Sequence, residues 1–179
     1  MTLRPFSPFF PLAVCSAAIT VLWFFAELGA GHKNHDAMAL AKKATKGDII
    51  VLRPWARASA GRAYNGAAYF TILNRGTRAD RLIGSNTLIA KKAELHEHRM
   101  ADGIMRMREV KGGLAISAGG KLSFAPRGYH VMLAGLAKPL KAGEGFMLTL
   151  VFERAGRITI HVVVHPIGGA PKLMPMPRH

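Results

Sequence analysis

Hydrophobic positions in this chain recur in steps of two. Phe146, Leu148, Leu150 and Phe152 are the clearest case. Side chains two apart share one face of a strand, so these four predict a single buried face. Met147, flanked by Phe146 and Leu148, is expected to pack in the same core. Shorter apolar runs predict further strands at Ile49–Trp55, Ala67–Leu73, Ala93–His98, Gly103–Val110, Lys121–Phe124, Tyr129–Leu133 and Ile158–Val164. Gly61, Gly76, Gly84, Gly119, Pro126, Gly143 and Gly156 punctuate them. Many short strands separated by turn residues predict an all-β, antiparallel sandwich or barrel over residues 47–165. No long helical period competes, and no internal repeat is visible.

The ends of the chain break this pattern. Phe9 to Ala26 is an almost unbroken apolar run preceded by Arg4, the arrangement of an export signal. Gly29, Ala30 and Gly31 offer a cleavage site after Ala30. The run is also about as long as a bilayer span of ~20 residues, so residues 1–30 read as a signal peptide or a membrane anchor. Cys15 lies inside the apolar run after Val14, where a lipoprotein cysteine would instead close the run, and it reads as a bystander. Residues 31–46 are small, polar and basic, the composition of a flexible tether, and residues 166–179, with four Pro, predict a mobile tail.

Composition then narrows the chemistry. One Cys in 179 residues excludes a disulfide framework, a four-Cys zinc site and a CxxC redox pair. Nine Met and eight His stand against it. The net charge is +15, yet no nucleic-acid-binding signature accompanies it, and an export signal argues against a nucleic-acid partner. A basic surface facing anionic headgroups or acidic partners is the simpler reading. No Ser-His-Asp arrangement, paired-carboxylate motif or phosphate loop is present, so an enzyme is not expected.

His and Met concentrate in three short segments: His96-Glu97-His98-Arg99-Met100, Met105-Arg106-Met107 and His130-Val131-Met132. A hairpin through Ala101-Asp102-Gly103 would join the first two, and a turn at Ala125–Gly128 would present the third at the same end. Within a strand His130 and Met132 share a face, as do Met105 and Met107. Imidazole with thioether is a soft, neutral donor set that favours Cu(I), whereas zinc recruits thiolate, more imidazole or carboxylate. A blue-copper electron-transfer centre requires a Cys that the chain lacks beyond residue 30.

The stretch from Leu95 to Met132, with LHEH, DGIMRMR, SAGG and PRGYHVMLAGL, resembles the PCuAC periplasmic copper(I) chaperones. GDIIVLRPWARAS, AAYFTILNRG and KPLKAGEGFMLTLVFERAG extend the likeness across about residues 47–165. The family pattern is His or Met, ten residues, Met, twenty-one residues, then His-x-Met. His96 and Met107 keep the first spacing, and twenty-two residues separate Met107 from His130, the extra one assigned to Gly112-Gly113. The resemblance implies a cupredoxin-like β-sandwich or barrel and His96, Met107, His130 and Met132 as copper ligands. It also implies delivery of Cu(I) to the copper-centre subunit of cytochrome c oxidase alongside a thioredoxin-like copper assembly factor, by a periplasmic monomer.

His98, Met100 and Met105 are further candidate donors, with exposed hairpin residues as the plain alternative. His161 and His165 read as surface histidines. In the tail, Met174, Met176 and His179 suggest a second, weaker copper site open to Cu(II), with chance clustering as its competitor; His32, His35 and Met38 in the tether are a poorer case. Two other functions stay open at this point. One is a basic exported envelope-interaction module without metal, and the other is a copper buffer for resistance.

Overall fold

The computed structural model describes residues 43–101 and 103–169, and the expected signal or anchor, most of the tether, and residues 170–179 lie outside these. Eleven strands make up the described chain, with no helix among the described residues. They are β1 (Lys43–Lys46), β2 (Ile49–Arg57), β3 (Asn65–Asn74), β4 (Asp80–Asn86), β5 (Ala90–Ala101) and β6 (Ile104–Glu109). They continue with β7 (Leu114–Ile116), β8 (Lys121–Phe124), β9 (Tyr129–Leu136), β10 (Gly145–Phe152) and β11 (Gly156–His165).

All eight expected strands are present. Three more were not visible in the sequence. β1 lies at the end of the expected tether and pairs with β2 from Lys43 opposite Leu52 to Lys46 opposite Ile49. It buries almost nothing, so backbone pairing holds it and no apolar alternation announces it. β4 and the three-residue β7 pair with each other, Leu82 opposite Leu114 and Asp80 opposite Ile116.

The strands form one sheet in the order β6-β5-β9-β8-β3-β2-β11-β10-β4-β7, with β1 on β2. Pairing is mixed and not purely antiparallel as expected: β11 runs parallel to β2, and β8 meets β9 in parallel. The sheet puts Val51, Phe70, Leu95 and Val131 into the same core as Leu148, Leu150, Ile160 and Val162. Phe70 stacks on Phe124 with ring centroids 4.3 Å apart.

The alternation in β10 follows expectation for Phe146, Leu148, Leu150 and Phe152, which are buried. It corrects the placement of Met147. With its neighbours turned inward, Met147 must face out, and it is 53% exposed. A bulge in β2 between Leu52 and Trp55 accommodates Pro54, which has no N–H to give a ladder, and puts Arg53 at φ 50°. Beyond the bulge Trp55 packs on Tyr69 at 4.6 Å. Two buried polar side chains pin loops. Asn74 Nδ2 donates to the carbonyls of Arg78, Ile116 and Ser117, and the Asp80 carboxylate accepts from the N–H groups of Arg81, Arg154 and Ala155.

Candidate metal centre

Three neighbouring strands bring the His and Met segments together. Antiparallel register sets His96 opposite His130 and Glu94 opposite Met132 between β5 and β9. Between β5 and β6 it sets His98 opposite Met107 and Met100 opposite Met105. Residues directly opposite lie on the same side of a sheet. Leu95 and Val131 point into the core, so Glu94, His96, His98 and Met100 all point to the other face. His130, Met132, Met105 and Met107 join them there.

His130 is the fixed point of this face, at 2% exposure. Its ring nitrogen Nδ1 lies 3.1 Å from the Gly128 carbonyl oxygen. The carbonyl can only accept, so Nδ1 carries the proton and Nε2 of the neutral ring presents a lone pair. That carbonyl also accepts the backbone N–H of His98 at 3.2 Å, tying the turn at Ala125–Gly128 to β5. Burial, aided by the nearby His98 and His96, pushes the His130 pKa below the ordinary imidazole range, which keeps the lone pair free near neutral pH.

His130 Nε2 faces the Met107 sulfur at 3.1 Å. Two lone-pair donors confronting each other are the arrangement of a metal site. Bond lengths of about 2.0 Å to nitrogen and 2.3 Å to sulfur, as in zinc sites, span this gap at an angle of roughly 90°.

The remaining imidazoles crowd the same spot. His98 stacks on His130 with centroids 4.8 Å apart, and His96 lies at 5.9 Å. His96 Nε2 is 3.4 Å from Glu94 Oε2, and hydrogen bonds from His96 and Lys92 hold the Glu94 carboxyl below its usual range. A carboxylate behind an imidazole orients the ring and leaves its other nitrogen for a metal. That other nitrogen, His96 Nδ1, is buried with no hydrogen-bond partner, and so is His98 Nδ1. Each such orphan costs about 1–3 kcal/mol unless something satisfies it.

An open pocket of about 430 Å³ gives access to this face, lined by His98, Met107, His130, Met132, Tyr69 and Arg57 among others. His96 does not line it. Tyr69 contacts the far side of His130 at 6.5 Å between centroids, and burial raises its phenol pKa. Ile167, within the segment expected to be a mobile tail, also lines the pocket, and the Gly169 N–H closes a turn onto the Pro166 carbonyl.

The expected donors thus sort by position. His96, His98, Met107, His130 and Met132 share one face of the sheet, and all but His96 line the pocket. Met105 and Met100 continue that face toward the hairpin tip and are 46% and 62% exposed. Among the described residues, no group of three or more His, Cys, Asp or Glu side chains is arranged to hold a metal by itself, and the thioethers of Met107 and Met132 are the further soft donors on this face. His161 lies on the outer side of β11, opposite Met147, and His165 packs edge-on to Trp55 at 6.0 Å. Met174, Met176, His179, His32, His35 and Met38 fall outside the described residues. Glu94, Tyr69 and Arg57 were not foreseen. Glu94 carried a signal, since it sits two residues before His96 on the same strand face.

Residues 49–164 match the family described as "Putative lipoprotein LpqE-like". A curated relative, "Putative lipoprotein Lxx21020" of Leifsonia xyli subsp. xyli, is 35% identical over 122 residues, covering 68% of this chain and 72% of the relative. Among solved structures, the copper-bound PCuAC domain from PmoF2 superposes with a TM-score of 0.60 at 26% identity, covering 70% of this chain and 98% of that domain. The Cu(I) form of DR1885 from Deinococcus radiodurans gives 0.52 at 30% identity, over 63% of this chain and 74% of that one. The chain belongs to the LpqE-like family, and its β-sheet has the cupredoxin-like fold of the PCuAC domains that its sequence resembles.

Proposed function

We propose that this protein is an exported copper(I) chaperone that carries one Cu(I) at the His/Met face, with His96, Met107, His130 and Met132 as its donors. The observation that carries the reading is His130 Nε2 facing the Met107 sulfur at 3.1 Å while Nδ1 of the same ring is turned to the Gly128 carbonyl. A neutral ring has no second proton to offer that sulfur, and a soft monovalent cation between the two would satisfy both. Two of the related structures are described as copper-bound, one of them with Cu(I), which supports the choice of metal.

The uncharged donor set leaves the bound ion cationic and exchangeable, as a carrier requires. Handover would proceed by ligand exchange, a partner's donor replacing one weak thioether while the imidazoles keep hold. Half-exposed Met107 is the donor most open to such an approach. The copper-centre subunit of cytochrome c oxidase is the acceptor the resemblance implies, with a thioredoxin-like assembly factor as second partner. Export to the periplasm, with or without membrane attachment, agrees with the apolar run at residues 9–26 and with the lipoprotein names of the relatives.

Anaerobic titration of the protein against a chromophoric Cu(I) indicator tests carriage. One tightly held equivalent is expected, and retention of none would leave only a basic exported β-protein. Deleting the gene and assaying oxidase at limiting copper separates delivery from buffering. Full oxidase activity with copper sensitivity would favour the buffer.

A further inference from the structure

We infer that His98 is an alternate imidazole donor at the open end of the same centre, taking Cu(I) in place of His96. This rests on the copper reading above. The family spacing designates His96 and gives His98 no role, yet the geometry favours His98 at the pocket. It stands directly opposite Met107, the residue whose sulfur faces His130. Its ring is closer to His130 than that of His96, and it lines the pocket where His96 does not.

Both rings carry a buried Nδ1 without a hydrogen-bond partner. His96 has its Nε2 turned to Glu94, which assigns Nδ1 as its free donor atom. Among the described residues no three imidazoles stand arranged to hold a metal on their own. In the proposed arrangement His96 and His98 serve one at a time, each with His130 and the thioethers. Cu(I) held by His96 is in the deeper position, and Cu(I) held by His98 is at the pocket mouth. Moving between them forms one copper–nitrogen bond as another breaks, with no change of oxidation state and no proton leaving either ring.

A double-mutant cycle on the full-length protein tests this, with Cu(I) affinity read by competition against bicinchoninic acid. If the two rings substitute for each other, His96→Ala and His98→Ala each weaken binding less than tenfold. The double variant then loses a hundredfold or more. An effect of His98→Ala that is absent in both backgrounds overturns the inference. So do strictly multiplicative effects, which would mean that both rings bind at once. His98→Gln keeps bulk against His130, and a return to full affinity in that variant would assign the Ala effect to packing and also overturn the proposal. Failure of the unaltered protein to retain Cu(I) would instead remove the copper reading itself.

Discussion

Met107 and His130, 23 residues apart in the chain, meet across the face of β5 with sulfur and nitrogen at 3.1 Å. The two strands that carry them do not pair with each other; β5 lies between. Their approach is therefore set by two registers at once, His98 opposite Met107 on one side and His96 opposite His130 on the other. The spacing between Met107 and His130, one residue longer than the family pattern, does not disturb this meeting. The loop after β6 carries consecutive glycines at positive φ, Gly112 and Gly113.

Removing a sulfur should cost affinity without costing the fold. Met107 is 47% exposed and packs into no core, so Met107→Ala should leave the denaturation midpoint nearly unchanged. It should weaken Cu(I) binding at least tenfold, about 1.4 kcal/mol, in competition with a Cu(I) indicator. Met132→Ala should weaken it by a similar factor. Unchanged affinity in both variants would dismiss the assigned site.

Most of the frame was legible because burial writes itself as alternation. The alternation of Phe146, Leu148, Leu150 and Phe152 predicted a strand and its buried face, while its partners β11 and β4 came only with the structure. β1 was illegible because only Ala44 of its four residues is even partly buried, and backbone pairing with β2 holds the rest. Met147 was misplaced because flanking Phe146 and Leu148 suggest burial by proximity, whereas period two turns the middle residue outward. For the candidate centre, donor types and the shared faces of His130 and Met132 could be read directly. Which of His96 and His98 meets the pocket could not, since both lie on one strand face and only the neighbouring strands distinguish them.

The copper-free protein should lose stability on mild acidification through His130. Its folded pKa lies below the unfolded value of 6.5, chiefly because burial disfavours the charged ring. Between the two values the unfolded chain binds more protons, so stability rises with pH across that window and falls as pH drops below about 6.5. Below the folded value the loss levels off. Urea denaturation at several pH values, compared with His130→Asn, checks this. A variant with the same pH slope as the unaltered protein would exclude His130 as its source.

The hairpin of β5 and β6 carries a like-charge conflict. Arg99 lies directly opposite Arg106, both exposed, and among the described residues neither has a carboxylate within salt-bridge reach. The adjoining pair is matched, with Arg108 Nε 2.6 Å from Glu97 Oε1. Arg106→Glu should turn repulsion into attraction and stabilise the hairpin by roughly 0.2–1 kcal/mol. Slower amide hydrogen exchange in β6 at low salt, with the gain shrinking at high salt, is the expected signature. Identical exchange at both salt concentrations would contradict it.

Gly112 and Gly113 both have positive φ, at 81° and 77°, but their surroundings differ. A Cβ on Gly112 would meet nothing within 4 Å, whereas one on Gly113 would overlap the backbone carbonyl oxygen of Leu82. That oxygen belongs to backbone paired in β4, so it cannot swing away as a flexible side chain would. Gly112→Ala therefore bears only the left-handed penalty, about 1–2 kcal/mol. Gly113→Ala adds steric overlap of the kind that costs about 1–3 kcal/mol in packed interiors, and it should loosen the pairing of β7 with β4. Because β6 and its Met107 lie on the other side of this loop, Gly112→Ala should bind Cu(I) as the unaltered protein does. Denaturation of the two variants side by side, with equal midpoints, would show that the close approach to Leu82 does not constrain the loop.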